Sequence, residues 1–292
     1  MTHIRFRQRW LLIVSLVAAQ LLVLLAATIL FEGWLTGELR AIVWCVSLFV
    51  VMTGTALTML IVRGYENRLE AVNASLEAKI EQRGNELVHS RDAVIFGMAK
   101  LAESRDDETG LHLERICRYV EVLAGHMAGC GRIDGLDIKT LAATAALHDI
   151  GKVAIPDAIL RKPGPLTDQE RKVMQKHPHL GGDTLIELRR RWSEDAFLIT
   201  ASQIAFAHHE RWDGTGYPFG LAGNNIPLAA RIVAVADVYD AITSKRVYKP
   251  AMTHEQARRA IVEGSGTQFD PRVVEAFVAV EDRFRGVREE LV

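Results

Sequence analysis

The sequence predicts an all-α protein, and two features of its patterning carry that prediction. Two long apolar runs occupy roughly the first sixty residues, where charged side chains are few. From about residue 91 onward, apolar residues recur at helical spacing, and no stretch alternates apolar and polar residues over a useful strand length. The chain has 292 residues, which is enough for one or two domains. Its net charge of −1 gives no indication of a nucleic-acid-binding surface.

The two apolar runs, residues 10–31 and 41–62, each have about the twenty residues that a helix needs to cross a bilayer. A cleaved signal peptide would explain the first run alone, but its apolar region should be shorter and end at small residues. Residues 32–40 between the runs are too few for a sensor domain. Residues 1–63 are therefore predicted to form an N-terminal tail and a hairpin of two transmembrane helices.

Basic residues predict the orientation of this hairpin, because cytoplasmic flanks of membrane spans carry an excess of Lys and Arg. The flanks hold several arginines and the connecting loop holds one. The flanking residues are Arg5, Arg7, Arg9, Arg63 and Arg68, and the loop residue is Arg40. Both ends of the hairpin are therefore expected in the cytoplasm.

Residues 64–90 are predicted to form a charged, proline-free linker helix that pairs in a coiled coil. Its apolar seam continues beyond residue 90 with a seven-residue repeat. The seam consists of Leu69, Val72 and Leu76, followed by Ile80, Leu87, Val94 and Leu101. The four-residue step from Leu76 to Ile80 is a coiled-coil stutter. A homodimer through this helix is expected, and a single helix packed on its own domain is the alternative.

Residues 91–292 are predicted to form one compact helical domain. Nine segments show helical periodicity: 93–104, 111–128, 138–148, 168–177, 180–190, 196–209, 228–244, 254–263 and 271–284. Helix-start signals support three of them: Thr167 and Thr253 begin capping boxes, and Asp270 precedes a proline. The scattered cysteines, Cys45, Cys117 and Cys130, include no close pair and fit a reduced, cytosolic compartment.

Candidate metal ligands lie at five places in this helical domain. They are Glu108, His112, His148, Asp149, His177, His208, His209 and Asp237. Glu108 and His112 would share a helix face, and Asp237 lies in an apolar helix where a lone carboxylate is costly to bury. A mixed imidazole and carboxylate set suits Fe, Mn or Zn, and two ions about 3.5–4 Å apart can hold a hydroxide and clamp a phosphodiester. Each residue alone also fits an ordinary surface pair, helix end or arginine partner.

The stretch after His208 and His209 predicts a rigid lip beside such a site. The two histidines end an apolar helical run, where the unwinding chain lets both imidazoles turn toward a common point. Gly214 and Gly216 allow positive φ and a close approach of the backbone to a ligand, and Pro218 stiffens the exit. The alternative is a polar surface loop with two exposed histidines.

These motifs together resemble the HD-GYP family. The motifs are Glu108-Thr109-Gly110-x-His112, His148-Asp149-Ile150-Gly151-Lys152, His177-Pro178, His208-His209-Glu210 with Asp213-Gly214-x-Gly216-Tyr217-Pro218, and Asp237-x-x-Asp240-Ala241. They occur in order across about residues 91–284, and no motif position is replaced. The resemblance implies an HD-superfamily helical domain with two or three divalent metal ions, Fe or alternatively Mn. It also implies hydrolysis of the bacterial second messenger cyclic di-GMP to pGpG or GMP.

The resemblance implies roles for individual residues as well. All eight candidate ligands would bind metal, with Asp149 as the bridging carboxylate, and the presence of Glu108 is similar to the trinuclear subset of the family. His148, Asp149 and Lys152 would form the catalytic set, with Lys152 on the scissile phosphate. The residues implied to bind substrate are Lys152, Gly214, Gly216, Tyr217, Pro218, Arg246 and Lys249.

A membrane-anchored phosphodiesterase in the bacterial inner membrane, with its catalytic domain in the cytoplasm, is the function that these expectations favour. A catalytically weak cyclic-dinucleotide receptor and a hydrolase of another cyclic dinucleotide are the alternatives. A diguanylate cyclase or another signalling protein is the expected kind of protein partner. Because the apolar seam reaches Leu101, close to Glu108, the linker helix is expected to couple the membrane to the catalytic domain through dimer packing.

Overall fold

The computed structural model describes residues 2–30, 36–105, 111–133, 137–192, 195–244 and 251–291. These residues form helices, turns and two isolated β-bridges, one of which joins Asp213 to Ala222 and the other Ser265 to Phe269. The predicted all-α fold is thus confirmed for this part of the chain. The chain divides into two compact units, Met1–Leu87 and Val88–Val292.

The first unit contains α1 (Thr2–Leu30) and the larger part of α2 (Gly37–Glu103). The two helices lie side by side, since Thr55 Oγ1 donates a hydrogen bond of 3.4 Å to Gln20 Oε1. By length and composition α2 can cross a membrane, and none of its most apolar window is buried. The apolar stretch described in α1, Val17–Leu30, is shorter than a span. Of the two predicted spans, the described residues therefore contain one helix, α2, that is long and apolar enough to cross a membrane.

The second unit begins with the end of α2, and its described residues include nine further α-helices. They are α3 (His112–Gly129), α4 (Ile138–Ala145), α5 (Asp157–Leu160), α6 (Asp168–Met174), α7 (His177–Trp192), α8 (Ala196–Ala207), α9 (Leu228–Thr243), α10 (His254–Glu263) and α11 (Pro271–Glu290). Short 3₁₀ helices occupy Ile150–Ala154 and Gly223–Asn225.

The described residues of this unit form three hydrophobic clusters, and the two larger ones position the helices around the histidines. In the larger one, Tyr119 of α3 stacks on Phe284 of α11 with ring centroids 4.6 Å apart, and Tyr239 of α9 meets both rings edge-on. In the smaller one, the turn after α4 packs on α8 through the buried side chains of Leu147 and Phe197. Burial of each such side chain contributes about 1.5–3 kcal/mol. The clusters therefore fix where the ends of α4 and α8 lie.

The three predicted helix starts are confirmed. Thr167 and Thr253 cap α6 and α10 in complete capping boxes. Asp270 caps α11 by accepting a backbone N–H bond, and Pro271 occupies the first turn. Each cap satisfies backbone donors that have no partner within the helix, which stabilises it by about 1 kcal/mol.

The predicted helix boundaries around His148 and His177 are wrong. The helix predicted to reach residue 148 ends at Ala145, so His148 lies in the following turn. The proline after His177 predicts a helix end there, but α6 already ends at Met174 and His177 begins α7. Proline lacks only an N–H that the first turn of a helix leaves unpaired, so His177-Pro178 starts a helix rather than stopping one.

Candidate metal centre

Four histidines converge where helices begin or end. His148 follows α4, His177 begins α7, and His208 and His209 follow α8. Their ring centroids are 4.1 Å apart for His208–His209, 5.1 Å for His177–His209 and 5.3 Å for His148–His208. The end of α8 thus brings both adjacent imidazoles to one place, as the sequence predicts.

Backbone carbonyl groups orient three of these rings. His148 Nδ1 lies 2.8 Å from Ala145 O, and His177 Nδ1 lies 2.8 Å from Met174 O. His208 Nδ1 lies 3.1 Å from each of two carbonyl oxygens of α8. A carbonyl oxygen only accepts, so Nδ1 carries the proton in each ring, and the neutral ring keeps its lone pair on Nε2. Each histidine therefore presents Nε2 as a ligand atom.

These Nε2 atoms fit a metal ion. Those of His148, His177 and His208 are buried and make no hydrogen bond with any residue that the structure describes, and the same holds for Asp149 Oδ1. A buried polar atom left unsatisfied costs about 1–3 kcal/mol. Several lone pairs directed at one place from imidazole and carboxylate groups are the donor set of Fe, Mn or Zn sites.

The Asp149 carboxylate lies between the histidines. Its Oδ1 is 3.0 Å from His177 Nε2 and 3.5 Å from His208 Nε2. Its Oδ2 is 3.2 Å from His148 Nε2 and 2.9 Å from Lys152 Nζ. Because its two oxygens face different histidines, this carboxylate has the geometry to bridge two ions.

The candidate ligands form two groups, which we call the first and second ligand groups. Within each group, the ligand atoms all lie within 4.8 Å of one another. The first group consists of Asp149, His177, His208 and His209, and the second of His112, His148 and Asp237. The groups adjoin, because His148 in the second faces Asp149 in the first. Two neighbouring ion positions are what a clamp on a phosphodiester requires.

Close backbone packing places Asp149 against α7. A Cβ atom at Gly151 would lie 2.0 Å from His177 O and 2.6 Å from Gly181 N, so only glycine fits. The 3₁₀ helix that follows Asp149 can therefore touch the first turn of α7. This contact explains why the glycine of the His-Asp-x-Gly motif is needed for the geometry of the site.

The charges of the site depend on burial and on the carboxylate together. Burial lowers the pKa of His208 and, more strongly, that of His209, so both rings are neutral at pH 7. Burial opposes ionisation of Asp149, but nearby Lys152 and His148 hold its pKa well below the usual range. For His148, burial is outweighed by the Asp149 carboxylate, which raises the pKa to about 10. An ion bound to His148 must therefore displace a proton.

The loop after α8 forms a lip over the first ligand group. The Tyr217 ring lies 4.7 Å from the His209 ring at 31°, and burial raises the pKa of its hydroxyl. The Glu210 carboxylate, only 4% exposed, accepts backbone hydrogen bonds from Phe219 at 2.7 Å and from Leu221 at 3.0 Å. Glu210 therefore ties the far side of the lip back to the histidines.

The two lip glycines serve different purposes. Gly214 has the predicted positive φ, at 80°. Gly216 lies outside that region, but a Cβ atom there would be 2.4 Å from Arg211 N and 2.6 Å from Glu210 Cα. The positive φ expected of Gly216 is thus wrong, and its small size makes room for the loop's own backbone.

Seven of the eight predicted ligands are among the described residues, and all seven belong to the two ligand groups. The eighth, Glu108, lies outside the described residues, as do Arg246 and Lys249. Lys152 lies beside Asp149, and its side chain is 14% exposed. Tyr217 lies beside His209 of the first group, and the two lip glycines pack against the backbone and side chains of their own loop.

Three acidic residues gain a role only in the structure: Glu210 and Asp240, which are buried, and Glu103, whose side chain is 11% exposed. Glu103 Oε1 lies 3.7 Å from His112 Nε2, and Asp240 Oδ2 lies 2.7 Å from His112 Nδ1. A signal existed for Asp240, which follows Asp237 by three residues in an apolar helix and so shares its face. Glu103 offers no such signal, because charged residues at a helix end are usually solvated.

The family model described as "HD domain" matches residues 97–273. A "Cyclic di-GMP phosphodiesterase" of Vibrio cholerae serotype O1 is 50% identical over 209 residues, which are 70% of this chain and 42% of that protein. A "Probable cyclic di-GMP phosphodiesterase" of the same organism is 47% identical over 217 residues, 73% of this chain and 49% of that protein.

A further Vibrio cholerae relative has a different named substrate. The "3'3'-cGAMP-specific phosphodiesterase 2" is 40% identical over 227 residues, which are 78% of this chain and 40% of that protein. This chain spans less than half of the length of each of these three relatives. The similarity therefore concerns a part of each relative rather than the whole protein.

Proposed function

The chain belongs to the HD domain family. We propose that it is a metal-dependent phosphodiesterase of the HD-GYP type, which hydrolyses cyclic di-GMP to pGpG, GMP or both. The observation that carries the proposal is the pair of adjoining ligand groups with Asp149 between them. Relatives named for the same reaction, 47–50% identical over 70–73% of this chain, support the choice of substrate.

The proposed ligands are the seven residues of the two groups together with Glu108. Divalent ions held there would supply Lewis-acid stabilisation of the phosphodiester and a nucleophile at neutral pH. Fe, or alternatively Mn, suits the mixed imidazole and carboxylate donors better than a thiolate-preferring metal. The Nδ1 hydrogen bonds of His148 and His177 fix the ring orientations, so that Nε2 of each ring faces the site. Metal ions can therefore bind without rearrangement of these ligands.

The remaining residues of the proposed site act on the substrate. The Lys152 ammonium, beside the Asp149 carboxylate, is a compact point charge suited to a phosphate oxygen. The Tyr217 and His209 rings, in contact at a tilt of 31°, form a wall on the lip side. Arg246 and Lys249 are proposed as a second basic pair for the substrate phosphates, and the lip residues Gly214, Gly216 and Pro218 as its backbone support.

A second candidate substrate is the hybrid cyclic dinucleotide 3'3'-cGAMP. The observation that favours it is the relative named for that substrate, which is 40% identical over 78% of this chain. Both substrates present the same phosphodiester to the ligand groups and differ in one base. The described ligand groups act on the shared part of the substrates, so a direct comparison must decide.

The test uses the 292-residue chain, purified anaerobically in detergent and loaded with Fe or Mn. Cyclic di-GMP and 3'3'-cGAMP are each followed by chromatography, with His148→Ala/Asp149→Ala as the control. Metal-dependent loss of cyclic di-GMP that the control abolishes is the expected result, and the chromatogram identifies pGpG or GMP. Tight binding without turnover in either metal would instead make the protein a receptor, and faster loss of 3'3'-cGAMP would change the substrate.

We also propose that the chain is membrane-anchored by two spans within residues 1–63, with a linker helix at 64–90 and the catalytic domain at 91–292 on the cytoplasmic side. The exposed apolar window of α2 supports one span, and the arginines on both flanks support the orientation. The bacterial inner membrane is the location that suits a cytoplasmic second messenger. A diguanylate cyclase or another signalling protein stays the proposed protein partner.

A homodimer through the linker helix is proposed on the exposure of its apolar seam. Ile80 is 64% exposed, Leu87 72%, Val94 60% and Leu101 73%. Apolar side chains at seven-residue spacing that stay this exposed in one copy suit a second, identical helix. Inserting one to four residues between Glu77 and Val88 should change turnover periodically, because each insertion rotates the seam by about 100°. A flat response would contradict coupling through the helix.

A further inference from the structure

The buried carboxylate of Asp240 lies behind His112, on the side away from the ligand groups. Asp240 Oδ2 is 2.7 Å from His112 Nδ1, and Asp240 itself is 1% exposed. Arg115 grips the same carboxylate with two nitrogens, Nε to Oδ1 at 2.6 Å and Nη2 to Oδ2 at 2.9 Å. Asp240 thus joins α9 to the first turn of α3 through one buried network.

This arrangement differs from that of the other oriented histidines. His148, His177 and His208 each hold Nδ1 against a backbone carbonyl within their own stretch of chain, three or four residues away. His112 instead holds Nδ1 against a side chain 128 positions away. Among the described residues, His112 is therefore the ligand whose orientation depends on contact between two distant helices.

The chemistry of the network determines which nitrogen of His112 faces the site. A carboxylate held by a two-pronged arginine is an acceptor, so His112 Nδ1 must donate and Nε2 must keep its lone pair. A carboxylate acceptor also makes the imidazole a stronger donor than a carbonyl acceptor does. The ion position of the second ligand group thus receives a ring that is both locked in one tautomer and electron-rich.

We propose that Asp240 is a positioning residue for metal binding: through His112, it sets the affinity of the second ligand group. The inference rests on the proposed metal centre. It assigns to Asp240 and Arg115 a purpose beyond helix packing. It also makes one ion position depend on the junction of α3 with α9, while the first group depends on local turns.

The test compares two isosteric substitutions in the 292-residue chain, Asp240→Asn and Asp270→Asn. Asp270 is a matched control, because it is equally buried at 1% exposure and is paired with Arg231 at 2.5 Å and Arg272 at 3.2 Å. No histidine contacts its carboxylate among the contacts of the described residues. Apoprotein is titrated anaerobically with Mn²⁺, tightly bound ions are counted after gel filtration, and affinities are measured by calorimetry. Unfolding temperatures are recorded in parallel.

We expect Asp240→Asn to weaken one ion position by about 10–100-fold, as loss of a group bonded to a metal ligand does. The first-bound ion should keep its affinity, and Asp270→Asn should keep both while unfolding at a lower temperature. In a His112→Ala background, Asp240→Asn should cause no further loss of metal affinity, because Asp240 acts through that ring.

Two outcomes would overturn the inference. One is unchanged ion count and affinity in Asp240→Asn; the other is an equal loss of metal in both substitutions, which would make the effect one of general stability. Failure of the proposed function is distinguishable from these, because then the unsubstituted protein itself would bind no pair of ions.

Discussion

The two ligand groups are built in different ways although they adjoin. In the first, Asp149, His177, His208 and His209 lie at the ends of helices, and local carbonyl groups orient two of the three histidines. In the second, a local carbonyl orients His148, whereas His112 and Asp237 project from α3 and α9, and a distant carboxylate orients His112. The first group depends mainly on turns, and the second depends also on helix packing.

The two ligand groups should be sensitive to different substitutions. In the first group, a turn that orients its own histidine by a bond to the backbone survives changes elsewhere in the molecule, because the bond spans three or four residues. A histidine held by Asp240 depends on every contact that keeps α3 against α9, including the Tyr119–Tyr239 pair with ring centroids 5.2 Å apart. The second group should therefore respond to substitutions that leave the first intact.

The largest effect is expected where the groups meet, at Asp149. Asp149→Ala removes the carboxylate whose two oxygens face His177 and His148, so both groups should lose affinity for metal. Turnover should fall by more than about 100-fold, the upper end of the loss caused by removing a mere partner of a ligand. Turnover and bound ions are measured together. Asp183→Ala, an exposed carboxylate on α7, is the control and should change neither.

A smaller, selective effect is expected when one histidine is removed from each group. His177→Ala and His112→Ala should each leave one ion fewer than the unsubstituted protein holds, since each ring belongs to one group alone. Metal analysis after gel filtration gives the count, and loss of magnetic coupling in Mn²⁺ spectra reports separation of the pair. If either substitution released every ion, the groups would be one site and the comparison would fail.

The smallest effect concerns the pH dependence of the metal-free protein. Burial lowers the pKa of His208 and His209 below the unfolded value of 6.5, so their stabilising contribution is present above that pH and is lost as pH falls. For His148, whose pKa rises to about 10, the contribution is present below pH 6.5 and is lost between there and about 10. With a chelator present, the unfolding temperature should therefore fall as the pH is lowered below about 6.5 and also as it is raised above about 6.5.

Removing one buried ring separates these two limbs. His209→Asn should flatten the acid limb, by about 2–4 °C for each kcal/mol recovered, and leave the alkaline limb unchanged. Thermal unfolding monitored by circular dichroism between pH 5 and 9 measures both. An acid limb that is as steep in His209→Asn as in the unsubstituted protein would show that other groups carry the acid sensitivity.

Much of the candidate site could be predicted from residue types and spacing. The seven described ligands come together as the sequence predicts, and the capping signals at Thr167, Thr253 and Asp270 mark real helix starts. These signals are local, since a cap or a pair of adjacent histidines is read within one turn of chain. The errors are also local: Pro178 predicts a helix end at His177, but a proline can also begin a helix, and this one lies in the first turn of α7.

Residue types and their local spacing are enough to predict the chemistry: which side chains can bind metal, which helices are apolar, and where they start. Which atoms of those side chains face one another depends on the tertiary fold. Asp240 meets His112 across 128 positions, and Gly151 lets Asp149 reach α7 because a Cβ atom there would collide with His177 O. The physical reason is that composition and periodicity report on local conformation and burial, whereas tautomers and bridging geometry depend on contacts between distant segments.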